Sequence, residues 1–131
     1  MAEASYPQDL LYHPEHDWVR IDDDDETLAT FGITWYAQDQ LGEVVFFEPP
    51  AAGTTVSAGE SYTEVESVKA VSDVVAPLSG EIVEVNDALT DGPEAINDDP
   101  YGDGWLVRVR LADPSERDGL MDAAAYRASL S

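Results

Sequence analysis

Apolar and polar residues alternate in short runs along most of the chain. "WVRI" (Trp18–Ile21) and "TLATFGI" (Thr27–Ile33) have the period of two of half-buried strands, and the acidic run Asp22–Glu26 between them reads as a solvated turn. Thr34 stands where an N-cap belongs, before "WYAQDQL". In that short helix Ala37 and Leu41, four apart, would share the buried face, with Gln38 and Asp39 pointing outward. "EVVFFEPP" (Glu43–Pro50) predicts a strand stopped by its prolines; "SYTEVESV", "AVSDVVAP", "GEIVEVN" and "WLVRVRL" predict four more. Glycine and proline fall between these runs, as turns require. Asp113 and Asp122 predict two further short helices, the last being "AAAYRASL" at the C-terminal end. Seven or eight short strands with small helices predict a mainly β fold, a β-sandwich or flattened barrel, as one domain over residues 1–131.

Composition narrows the partners. The net charge is 6 − 28 = −22, yet 44% of residues are apolar and three are tryptophan, which a disordered acidic chain would lack. Such a charge repels nucleic acid and anionic membranes. The carboxylates are spread along the chain, and arginine outnumbers lysine five to one. A uniformly acidic surface suits a halophile, because at molar salt the Debye length falls to about 3 Å. There is no cysteine, so disulfides, thiolate metal sites and thiol nucleophiles are excluded. "MAEASYPQD" has no basic n-region and no apolar h-region, and no run approaches transmembrane length. A soluble, cytoplasmic protein is expected.

The one lysine, Lys69, lies in "VESVKAVSD" between two valine-rich arms. Two Gly-Glu-headed strands, beginning at Gly59 and Gly80, stand ten residues before it and eleven after it, suggesting a module with the lysine between its halves. If Ser67–Ala70 forms a hairpin tip, Lys69 projects into solvent, as an attachment point for a flexible prosthetic group must. A tether makes each visit to an active site effectively intramolecular. Val68-Lys69 is not the favoured Asn-Gly of a two-residue hairpin, although a type I turn tolerates it. The plain alternative is a stray surface lysine.

Four blocks, in order, resemble one family, the H protein of the glycine cleavage system. They are "YHPEHDWV" (Tyr12–Val19), "GITWYAQDQLGEVVFFEPP" (Gly32–Pro50), "VESVKAVSDVVAPLSGEIVEVN" (Val65–Asn86) and "INDDPYGDGWLVRVRL" (Ile96–Leu111). The resemblance implies the lipoyl-domain form of the fold, a barrel-sandwich hybrid. It also implies lipoate in amide linkage on Lys69, with Glu66, Ser67, Val68 and Ala70 as the context read by the lipoate-attaching enzyme. The expected role is a non-catalytic, monomeric carrier. It would take the aminomethyl group of glycine from a PLP-dependent decarboxylase (P protein) to a tetrahydrofolate-dependent aminomethyltransferase (T protein). A dihydrolipoamide dehydrogenase (L protein) would reoxidise the arm. Asp17, Gln40 and Asp73 match the family's arm cleft, with two departures: Asp17 is commonly glutamate there, and Gln40 is often histidine.

Other motifs carry less. His13 and His16 have Pro14 between them and no ligand cluster nearby, so no metal site is expected. "DDDDE" lacks the spacing of a calcium loop, and "DPYGDGW" lacks the lysine and helix of a phosphate loop. No nucleophile–base set stands out. A biotinyl domain is disfavoured because valine and alanine, not methionine, flank Lys69; a 2-oxo acid dehydrogenase lipoyl domain is disfavoured by the "INDDPYGDGW" block. Two rivals stay open: an H-like protein relaying lipoate to other enzymes, and an unmodified β-sandwich binding module.

Overall fold

Among the described residues the alternating runs fold into nine strands in two antiparallel sheets. The structure, a computed structural model, describes residues 6–130; Met1–Ser5, on which part of the targeting expectation rests, lie outside the described residues. In chain order the elements are β1 (Leu11–His13), β2 (Asp17–Ile21), β3 (Leu28–Ile33), α1 (Trp35–Leu41), β4 (Val44–Phe47), β5 (Thr55–Val56), β6 (Ser61–Ser67), β7 (Val71–Val75) and β8 (Gly80–Val85). Then come α2 (Ala88–Asp91), α3 (Ala95–Asp98), β9 (Val107–Leu111), a 3-10 helix (Pro114–Gly119) and α4 (Ala123–Ser129). One sheet has the order β1-β2-β3-β9-β8-β5 and the other β4-β6-β7. The two Gly-Glu-headed strands, β6 and β8, therefore lie in different sheets.

Alternation explains the core. On β6, Thr63, Val65 and Ser67 point inward while Glu64 and Glu66 point out. Val65 and Val74 from one sheet join Val19, Phe31, Ile82 and Val109 from the other in one buried cluster. Each fully buried side chain of this size contributes about 1.5–3 kcal/mol. A second cluster holds Leu10, Tyr12, Trp18, Ala123 and Tyr126, and fastens α4 to β1. Within it Tyr12 and Tyr126 stack, with ring centroids 4.8 Å apart. Thr34 caps α1, Asp113 caps the 3-10 helix and Asp122 caps α4, each accepting a backbone N–H as expected.

Two local expectations are corrected. Gln38 is not outward-facing but 8% exposed. Its amide donates to Trp35 O and accepts from Asn97 Nδ2, each at 3.0 Å. Asn97, on α3, also donates to Gly42 O and accepts from Val44 N, so α1 packs between the sheet and a second polar contact. The acidic run is also not purely solvated: Asp22 and Asp25 pair with Arg108 and Arg110 on β9. Pairing of β3 with β9 brings those outward-facing arginines beside the turn. β1, β5, α2 and α3 had no distinct pattern in the sequence. Neither α2 nor α3 has a side-chain N-cap, and each is four residues long.

Candidate functional site

Lys69 sits in the loop joining β6 to β7, at a tip formed by Val68 and Lys69. Glu66 pairs with Val71, and one step further Ser67 N donates to Ala70 O at 2.8 Å. The reciprocal bond is unusual: Ala70 N donates to the Ser67 hydroxyl, at 3.1 Å, as does Lys69 N at 3.3 Å. A serine side chain thus closes the loop where Asn-Gly chemistry is absent. Val68 N donates to Glu43 O at 3.0 Å, which ties the tip to the segment after α1.

The side chain of Lys69 is exposed without standing free of the surface. It lies along the backbone of Gly42, the residue that ends α1 with φ of 81° and ψ of −157°. A Cβ placed at Gly42 would stand 3.4 Å from Lys69 Cε and 3.9 Å from Nζ. The expectation of a lysine projecting into solvent is corrected to this extent: glycine leaves a shelf on which the stem rests.

Beside the loop opens a cleft of about 320 Å3, bounded by α1, the β1–β2 turn and the free edge of β7. Asp17, Gln40 and Asp73 all line it, and so does Ala70, the residue after the lysine. Gln40 and Asp73 are exposed at its margin. Asp17 is 2% exposed, because it opens β2 beneath the β1–β2 turn. Its Oδ2 has no hydrogen-bond partner among the described residues. Burial, reinforced by the charge of Glu15, pushes its carboxyl well above the usual carboxylate range. The hydroxyl of Tyr62 is the other buried polar atom without a partner among the described residues.

His16, Tyr36 and Tyr126 belong to this region and were not picked out as cleft residues from the sequence. His16 adopts φ of 74°, and its Nδ1 lies 2.8 Å from the Tyr126 hydroxyl. That hydroxyl is also 2.8 Å from Thr34 Oγ1, the cap of α1. Burial lowers the pKa of His16, so the ring is neutral and works as a hydrogen-bonding brace between α1 and α4. Its ring also packs against Tyr36, centroids 4.6 Å apart. No spacing signal links residue 16 to residue 126. His13 Nδ1 instead accepts from Glu15 N, so the two histidines are engaged separately. No three His, Asp or Glu side chains group as metal ligands among the described residues. Nor is any described helix long and apolar enough to cross a membrane.

Chemically, the described residues offer the Lys69 amine next to a cleft with a buried carboxyl oxygen of Asp17 that has no hydrogen-bond partner among them. A small cationic or hydrogen-bond-donating group carried on Lys69 would find acceptors there.

Known proteins share this sequence and fold. The family model described as glycine cleavage H-protein matches residues 10–131. The chain is 58% identical to the glycine cleavage system H protein of Halorhodospira halophila, over 95% of this chain and 94% of that protein. It is 54% identical to that of Marinobacter nauticus, over 94% and 93%. The crystal structure of a glycine cleavage system H protein from Mycobacterium marinum superposes with a TM-score of 0.85 at 43% identity, covering 95% of this chain and 98% of that one.

Proposed function

Because the chain belongs to the glycine cleavage H-protein family, we propose that it is the lipoyl carrier of that system, with lipoate in amide linkage on Lys69. The observation that carries the proposal is the sole lysine, held on a closed loop at the mouth of a cleft with an unpaired buried acid. The residues fit the group: a primary amine to acylate, an exposed position for the enzyme that acylates it, and polar acceptors within the adjoining cleft. Bound on Lys69, lipoate would supply a dithiolane suited to carrying the aminomethyl unit of glycine from the P protein to the T protein, with reoxidation by the L protein.

The chain's own residues hold and shelter; none performs a chemical step. Ser67 fixes the loop so that Lys69 leaves it in one direction. Glu66, Ser67, Val68 and Ala70 form the surface next to the amine that an attaching enzyme meets. Asp17, Gln40 and Asp73 provide hydrogen-bond acceptors for an amine on the arm, and the depth of Asp17 keeps bulk water away from that contact. On this reading the whole chain is a single, monomeric, cytoplasmic carrier domain. Its acidic surface is a halophile's.

Lys69→Arg tests the proposal, since a guanidinium cannot accept the lipoyl amide. The variant should support no glycine decarboxylation with P protein, under salt conditions where both proteins are folded. Turnover equal to that of wild-type protein would refute it.

A further inference from the structure

Five large apolar side chains stand exposed among the described residues, and they are not scattered. Val83 is on β8; the other four, Val45, Phe46, Val68 and Val71, belong to the lysine loop and the strands beside it. Val68 is 67% exposed and Phe46 45%. Isolated surface valines need no explanation, whereas a group of four in so charged a chain does.

A break in register produces part of the group. Val44 faces Ser67 and Phe46 faces Glu66, so Val45 is an extra residue in β4. This bulge turns two successive apolar side chains outward where regular pleating would bury one of them. Glu66 in turn faces Val71, which sets Phe46, Glu66 and Val71 in one row across the outer face of the β4-β6-β7 sheet. The next outward row is Glu48, Glu64 and Asp73.

We propose that this outer face is the docking surface for the enzyme that acylates Lys69, which meets it with an apolar patch rimmed by lysine and arginine. The inference rests on the lipoyl-carrier reading. Once an arm is in place, other partners can work at a distance from the loop. The attaching enzyme has no such arm and must bring Nζ itself to its catalytic centre. There the deprotonated amine attacks the carbonyl carbon of an activated lipoyl donor. The amide C–N bond forms, the activating group leaves with its electron pair, and the amine's proton passes to water. A partner held that close must rest on the surface adjoining Lys69, and Val68 and Val71 of the apolar group flank the lysine in sequence.

Charge identifies the rim. Glu66 stands within the row between Phe46 and Val71, and Glu48, Glu64 and Asp73 line one side of it. The ion pairs of the described residues all use Arg108 or Arg110 on the other sheet. Partial desolvation, the neighbouring charges of Asp73 and Glu48, a side-chain hydrogen bond with Asp73 and the charge of Glu66 raise the pKa of Glu64, so carboxylates crowd this face. A cationic rim relieves that crowding; a second copy of this chain would set carboxylates against carboxylates.

The test uses unmodified full-length protein, a purified lipoate-attaching enzyme, lipoate and ATP, with intact mass following acylation across the range of ionic strength in which a thermal scan shows both proteins folded. Phe46→Ser should raise KM about tenfold with kcat nearly unchanged, as expected for loss of a docking anchor. The double variant Glu48→Gln/Glu64→Gln should raise KM several-fold and flatten its salt dependence. That variant removes repulsion, so it decides the matter if Phe46→Ser proves unstable in a thermal scan. Unchanged KM in the folded variants, or a loss confined to kcat, would overturn the docking surface. Wild-type protein that accepts no lipoate would remove the carrier reading, and this inference with it.

Discussion

The hydroxyl of Ser67 accepts the backbone N–H of Ala70 at 3.1 Å, in the place where a two-residue hairpin would use the Ser67 carbonyl. Lys69 is therefore held by a side-chain bond on a loop of unfavourable turn residues. Ser67→Ala leaves the N–H groups of Lys69 and Ala70 without that acceptor. It should destabilise the fold by about 1–2 kcal/mol, measured by urea unfolding. Amide exchange at Lys69 and Ala70 should speed up in the same variant, and unchanged exchange would show that the hydroxyl bond is dispensable.

Gly42→Ala probes the shelf beneath the lysine. With φ of 81° and ψ of −157°, Gly42 occupies a region that is essentially glycine's alone. Alanine there should cost about 1–3 kcal/mol of stability, even though the added Cβ would meet Lys69 Cε at an ordinary contact distance. Denaturant midpoints compare the two proteins, and equal midpoints would remove the strain argument.

Asp17 predicts a pH dependence. Its folded pKa lies above the ordinary value of 3.8, so the native state binds the extra proton between those two values. The stability tied to that proton is complete below about 3.8 and is lost as pH rises through the raised folded pKa. The difference in unfolding free energy between wild type and Asp17→Asn should therefore shift against wild type with rising pH. Its slope should approach about 1.4 kcal/mol per pH unit within that window. A difference independent of pH would contradict the buried neutral acid.

Salt should stabilise the chain. Raising ionic strength from about 0.01 M to 1 M shortens the Debye length from about 30 Å to about 3 Å. With a net charge of −22 spread over the surface, the thermal midpoint should climb over this range. A flat or falling midpoint would mean that carboxylate repulsion is not a significant term.

Much of the architecture could be read in the chain because its signals are local. Period-two alternation marks β2, β3, β6, β8 and β9, and Thr34, Asp113 and Asp122 each cap the segment expected of them. Asp17, Gln40 and Asp73, named through resemblance, lie in one cleft beside the lysine loop. What escaped the sequence depends on distant partners. Gln38 looks like a surface residue until Asn97, 59 positions away, meets its amide. The His16–Tyr126 bond joins residues 110 apart, and the short capless α2 and α3 have too little periodicity to show. The bulge at Val45 depends on which residue of β6 faces which residue of β4, and nothing in "EVVFFEPP" fixes that register.

Intact mass with peptide mapping of the protein purified from its native host bears most directly on the carrier assignment. A lipoyl increment located on Lys69 is the predicted result. Protein that is consistently unmodified at Lys69, isolated from cells actively cleaving glycine, would contradict it.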